Sequence, residues 1–205
     1  GIFAAADTYN DYPEMILEFA GLPTYDPAAP TFDEMVAVAL RILGSDSEKA
    51  FFLVAEEEGT DNFSNDTNAR GMLDAMKRAD DAIGKTLQYM EAHSRRDLPL
   101  LGGADSDAGH PGIWGMKEWP DPVRLPVTSD SGAELDGPEG RGGEPFVSQP
   151  DALGNRHYFG VAWATESDFP GSAVSKAHGY RSDLLKSSVD NTGLYRIMYA
   201  VLFGE

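Results

Sequence analysis

Two rhythms of apolar residues alternate along the chain, one with helical spacing and one continuous, and acidic residues gather where the continuous runs stop. Over 31–43, Phe32, Met35, Val36, Leu40 and Leu43 recur at three- and four-residue steps. Thr31 and Glu34 stand in a capping-box arrangement and Gly44 follows, so the spacing predicts an amphipathic helix with defined ends. From Asp66 to His93 the same spacing, through Ala69, Met72, Leu73, Met76, Ile83, Leu87 and Met90, predicts a long helix with that face buried. Near the end, Leu194, Ile197, Met198, Val201 and Leu202 form one helical face, opened by Asp190 or Asn191 and closed by Gly204.

The continuous runs predict strands. Ala50–Ala55 (AFFLVA) is apolar throughout, which is the pattern of a strand buried on both faces, and it breaks into Glu56-Glu57-Glu58-Gly59. Leu98–Ala104 runs into Asp105-Ser106-Asp107, and Tyr158–Ala164 leads through Glu166 to Asp168. Residues 172–178 form a fourth, weaker candidate. Between Ala108 and Arg156, nine glycines and seven prolines in 49 residues disfavour regular elements, which predicts an irregular surface excursion.

Strands alternating with helices predict an α/β fold with a mostly parallel sheet flanked by helices. A parallel sheet presents the C-terminal ends of its strands on one edge, where such folds bind ligands. On that expectation Glu56, Asp61, Asp105, Asp107 and Asp168 meet on one rim. Carboxylates forced together repel unless a cation or shared protons compensate. The acids therefore read either as a divalent-metal site or as a solvated loop edge. Oxygen donors favour Mg²⁺, Ca²⁺ or Mn²⁺ over Zn²⁺, which prefers imidazole and thiolate.

Composition narrows the partners. With 34 Asp and Glu against 16 Lys and Arg, the chain of 205 residues carries a net charge of −18, which argues against nucleic acid and against an anionic membrane surface. It contains no cysteine, hence no disulfide and no thiolate ligand. The apolar runs are too short to span a bilayer.

At Phe51–Arg70 (FFLVAEEEGTDNFSNDTNAR) the sequence resembles the alkaline phosphatase family. In that family a strand ends in Glu, an Asp follows five residues later, a His four after that, and an Asn three further along. These steps fall on Glu56, Asp61, Asn65 and Asn68. Gly103-Ala104-Asp105-Ser106 resembles the family's Thr-Ala-Asp-His strand end, and Trp163 with Asp168 resembles its Trp-to-His segment. Residues 190–198 resemble its closing helix, and Gly1-Ile2-Phe3-Ala4 another family segment.

The resemblance covers nearly the whole chain outside the Gly/Pro-rich excursion of about 108–156. It implies the C-terminal part of an alkaline phosphatase-like domain, with an incomplete sheet. It implies hydrolysis of phosphate esters, periplasmic or secreted location, and a partner in the N-terminal half of the same protein, which in the family carries the nucleophile. Homodimerisation stays open. By the same resemblance Glu56 belongs to a magnesium-type site, Asp61 with positions 65 and 168 to one catalytic metal, and Asp105 with position 106 to another.

The family's three histidines at those positions are here Asn65, Ser106 and Asp168. Their replacement by oxygen donors shifts the expected ion from zinc toward Mg²⁺ or Ca²⁺, with Asp107 able to stand in for the weak ligand Ser106. The alternatives are a phosphodiesterase on the same fold, or an inactive relic whose acidic rim binds Ca²⁺. His110, close behind Asp105 and Asp107, is a further candidate as a substitute ligand or supporting partner.

Overall fold

The structure is a computed structural model that describes residues 8–94 and 96–204. The segment Gly1–Ala4 lies outside the described residues. Five α-helices occur among the described residues: α1 (Glu14–Ala20), α2 (Phe32–Leu43), α3 (Gly59–Asn65), α4 (Ala69–Ala92) and α5 (Asn191–Phe203). Seven short strands join them: β1 (Pro99–Gly102), β2 (Gly112–Trp114), β3 (Glu134–Gly137), β4 (Gly140–Arg141), β5 (Phe146–Val147), β6 (Tyr158–Trp163) and β7 (Lys176–Gly179). None of these helices is long and apolar enough to cross a membrane.

The helix ends follow from local chemistry. At the start of α2, the Glu34 carboxylate accepts the Thr31 backbone N–H at 2.9 Å, which satisfies a donor that the first turn leaves free. Asn68 caps α4 and Asp190 caps α5, each side chain accepting a backbone N–H three residues on. Gly204 ends α5 in the left-handed region at φ 78°, a conformation glycine adopts without a Cβ clash.

The sheet corrects the expectation of a mostly parallel α/β fold. Every strand pairing is antiparallel: β1 with β7 in one sheet, and β6 with β2, β3 and β5 in another, where β4 extends β3. The Gly/Pro-rich excursion supplies β2, β3, β4 and β5, so it differs from an irregular surface loop, and Leu135 within it is fully buried. These short strands hydrogen-bond along both sides of β6, which leaves it no edge for either of the other apolar runs. Pro99–Gly102 pairs with Lys176–Gly179 instead.

Ala50–Ala55 joins no ladder. It runs extended with Phe51 and Leu53 against Val36, Leu40 and Ala82 of α2 and α4. Phe52 and Val54, on the other side, are 56% and 76% exposed. A continuous apolar run does not reveal whether one face or two are covered; here one is.

The long helix also turns differently from its sequence expectation. Ala69, Gly71, Ala75 and Ala82 are the residues that α4 buries, while Leu73, Met76, Ile83 and Leu87 are exposed. Small side chains let α2 and α3 approach α4 closely. Two further apolar clusters complete the core: Leu17, Phe63 and Ala75 join α1, α3 and α4, and Ala69, Val161 and Trp163 seat the start of α4 on β6. In α5 no residue is buried.

Candidate functional site

Three segments far apart in the chain meet beside α3. Asp61 lies in the first turn of that helix, and Asn65 follows one turn later on the same face. Ser106 enters from the turn after β1, and Asp168 from the loop after β6. The Asn65 side-chain amide donates to Asp61 Oδ2 at 3.2 Å and to Asp168 Oδ1 at 3.0 Å. Ser106 Oγ–H donates to Asp61 Oδ1 at 3.4 Å.

The loop that carries Ser106 is held in place by backbone bonds. Asp107 N–H donates to Phe169 O at 3.0 Å, and Gly109 N–H to Ser167 O at 3.3 Å. At Gly109, φ is +67°, and a Cβ there would lie 2.4 Å from Ser64 O and 2.9 Å from the Trp163 ring. Only glycine allows the loop to pass that close to α3 and β6. This fit holds the three segments in register.

Like charge accumulates in the cluster. Burial raises the Asp61 pKa above the usual carboxylate range, the nearby charge of Asp168 raises it further, and Asp105 adds a smaller push in the same direction; the Ser106 hydroxyl opposes them. The Asn65 Oδ1 atom is buried and has no hydrogen-bond partner. Its amide group bridges two carboxylates through nitrogen while its oxygen, the atom that would ligate a cation, is idle.

The other residues singled out by sequence go elsewhere. Asp105 is exposed and acts on Asp61 through its charge. Asp107 turns to His110, whose Nδ1 is 2.6 Å from its Oδ2, and the His110 ring packs on Phe169 at 4.6 Å. Glu56 lies on the exposed face of the extended segment, with Phe52 and Val54. It borders a separate cavity of about 140 Å³, shared with Tyr9, Tyr25, Glu57 and Asn62. Among the described residues no group of three or more His, Asp or Glu side chains is disposed to hold a metal ion.

Two acidic positions carry more structure than their sequence context suggests. Glu57, one residue past Glu56, is the one that turns inward, where it accepts Gly59 N–H at 3.2 Å. Burial raises both the Glu57 carboxyl and the Tyr9 hydroxyl, and the nearby Glu57 charge raises Tyr9 further. Glu57 lies on the half-buried side with Phe51 and Leu53, although Ala55 between them is exposed, so an alternation counted from Phe51 separates Glu57 from Glu56 only in part. The second position is Asp136 in β3, fully buried beside Glu14; no local pattern marks it.

In kind, the donors around Asn65 suit a hard cation: two carboxylates, an amide oxygen and a hydroxyl, with no imidazole or thiolate. Comparison of the chain with family models, curated proteins and solved structures finds no match.

Proposed function

We propose that the chain contributes the cation-holding part of a metal-dependent phosphate-ester hydrolase of the alkaline phosphatase type. One observation carries this reading: Asp61, Asn65, Ser106 and Asp168, drawn from three segments far apart in the chain, lie in one hydrogen-bonded cluster of oxygen-bearing side chains. Asp61, Asn65 and Asp168 would hold one Mg²⁺, Ca²⁺ or Mn²⁺ ion, with Ser106 and Asp105 toward a second. A cation bound there would supply Lewis-acid polarisation of a phosphoryl oxygen. This chain's own residues would hold the ion, which would offset their charges. The covalent step belongs, on this reading, to the N-terminal half of the same protein.

The test is calorimetric titration of the chain with Mg²⁺, Ca²⁺, Mn²⁺ and Zn²⁺, alongside Asp61→Ala and Asp168→Ala. Binding of a hard cation that both substitutions abolish is expected. Binding that persists unchanged in both variants would remove the assignment. The chain by itself is expected to turn over no p-nitrophenyl phosphate, with activity appearing only together with the N-terminal half. The bridging position of the Asn65 nitrogen favours a second reading, in which the amide replaces the ion and the cluster only ties α3 to the loops. In that case no cation binds and Asp168→Ala acts on stability alone.

A further inference from the structure

Asp136 in β3 is completely buried, yet one of its two carboxylate oxygens, Oδ1, has no hydrogen-bond partner. The other oxygen accepts the Ala69 backbone N–H at 2.7 Å, at the first residue of α4. Glu14, the first residue of α1, places Oε1 at 3.3 Å from the next backbone N–H, that of Arg70. The second oxygen of each residue borders Gly140. Both Glu14 Oε2 and Asp136 Oδ1 are about 4 Å from where a Cβ on Gly140 would stand, at 3.9 and 4.0 Å. Two carboxylates brought together, one of them wholly buried, repel each other unless one carries a proton.

The charged side chains on the surrounding elements do not supply a counter-ion. Arg141 of β4 is engaged by Glu134 of β3 at 2.6 Å and by Thr67 Oγ1 at 3.0 Å, with Glu166 at 3.9 Å. Arg70 of α4 is exposed and forms no ion pair with either carboxyl among the described residues. Asp66, ahead of α4, and Glu166, after β6, add negative charge in that quarter. On β6 the neighbour is the neutral indole of Trp163.

We propose that Glu14 and Asp136 share one proton in a clamp that seats α1 on the start of α4, and that loss of this proton in mildly alkaline solution unseats α1. Glu14 is pushed up to about 8, first by burial and then by the charge of Asp136. Burial also raises Asp136, against the Ala69 N–H that bonds its other oxygen and the smaller opposing influence of the adjacent Glu14, Gly137 and Trp163. A folded-state pKa above the unfolded value means that the folded chain binds the extra proton. The clamp's contribution is therefore complete below the ordinary Glu range and is lost as pH rises through about 8. The pair titrates as a unit.

The consequence reaches the acidic cluster through packing. Leu17 of α1 packs on Phe63, and Phe63 lies in α3 between Asp61 and Asn65. Asn68, which caps α4, also donates to Tyr12 O at 2.7 Å, just ahead of α1. An α1 that leaves its seat removes support from both.

The experiment is thermal unfolding of the 205-residue chain from roughly pH 6 to roughly pH 9, beside Glu14→Gln, which mimics the neutral form. The wild-type Tm is expected to fall by roughly 5 °C more than that of the variant over this range. Parallel curves would overturn the proposal. Asp136→Asn is the second variant, because its amide keeps one acceptor for Ala69 and offers a donor to Glu14; it too is expected to flatten the curve, and an unchanged slope counts against the clamp. Infrared spectroscopy of the wild-type protein serves if neither variant folds. A protonated-carboxyl band present at neutral pH and lost through about pH 8 supports the shared proton, and its absence at neutral pH refutes it.

Discussion

The side-chain amide of Asn65 lies 3.0 Å from Asp168 Oδ1, joining residues 103 positions apart in sequence. The same nitrogen serves Asp61, so one neutral donor separates two carboxylates. Asn65→Asp would exchange that donor for a third negative charge. In metal-free buffer the variant is expected to be destabilised by about 1–2 kcal/mol, with recovery on adding millimolar Ca²⁺. Thermal melts with and without the ion, for wild type and variant, measure both effects.

Asn68 illustrates a different economy of contacts. It is fully buried, its Oδ1 accepting Gly71 N–H at 2.6 Å while its Nδ2 donates to Tyr12 O at 2.7 Å. Asn68→Ala removes the α4 cap and leaves both partners unpaired. The expected loss is about 2–3 kcal/mol, read from denaturant unfolding. Asn68→Asp, which keeps the cap but cannot donate to Tyr12, is expected to fall between wild type and Asn68→Ala.

Two glycines of α4 are expected to respond with opposite signs. A Cβ on Gly71 would lie 2.3 Å from the Phe63 ring, whereas a Cβ on Gly84 meets nothing within 4 Å. Gly84→Ala gains helix propensity and is expected to stabilise by about 0.5–1 kcal/mol. Gly71→Ala gains the same propensity but overpacks a fully buried ring, for an expected net cost of about 1–3 kcal/mol. Denaturant midpoints for the pair test whether α3 and α4 pack as closely as the buried Gly71 and Phe63 imply.

Local signals in the sequence carried well and long-range ones did not. Thr31, Glu34 and Gly44 mark α2, and Asp190 with Gly204 marks α5, because capping involves residues within one turn of each other. Tyr158–Trp163 is legible as a strand for its run of apolar residues. Pairing direction was not: the short strands that flank β6 come from a stretch whose glycines and prolines hide its alternation, and they take the edges that a parallel arrangement needs. At the candidate site, hydrogen bonds join Asp61, Asn65 and Asp168, whereas Ser106, grouped by sequence with Asp105, bonds to Asp61 instead. Glu56 lies apart from them, outward with Phe52 and Val54 on the uncovered side of its segment. The Glu14–Asp136 contact had no local signature, because the burial that makes it consequential arises only in the folded chain.

The extended segment before α3 offers the sharpest test of the corrected fold. If both faces of Ala50–Ala55 were buried in a sheet, Phe51 and Phe52 would be equally costly to truncate. In the structure the Phe51 ring meets Tyr89 edge-on, with centroids 6.4 Å apart, and packs against the cluster of Val36, Leu40 and Ala82, whereas Phe52 is 56% exposed. Phe51→Ala is therefore expected to cost about 2–3 kcal/mol, somewhat below the range for a fully buried ring because Phe51 is only half-buried. Phe52→Ser is expected to stay within about 0.5 kcal/mol of wild type, since it removes little packing. Denaturant unfolding of both variants decides between the two arrangements, and equal losses would restore the two-sided strand.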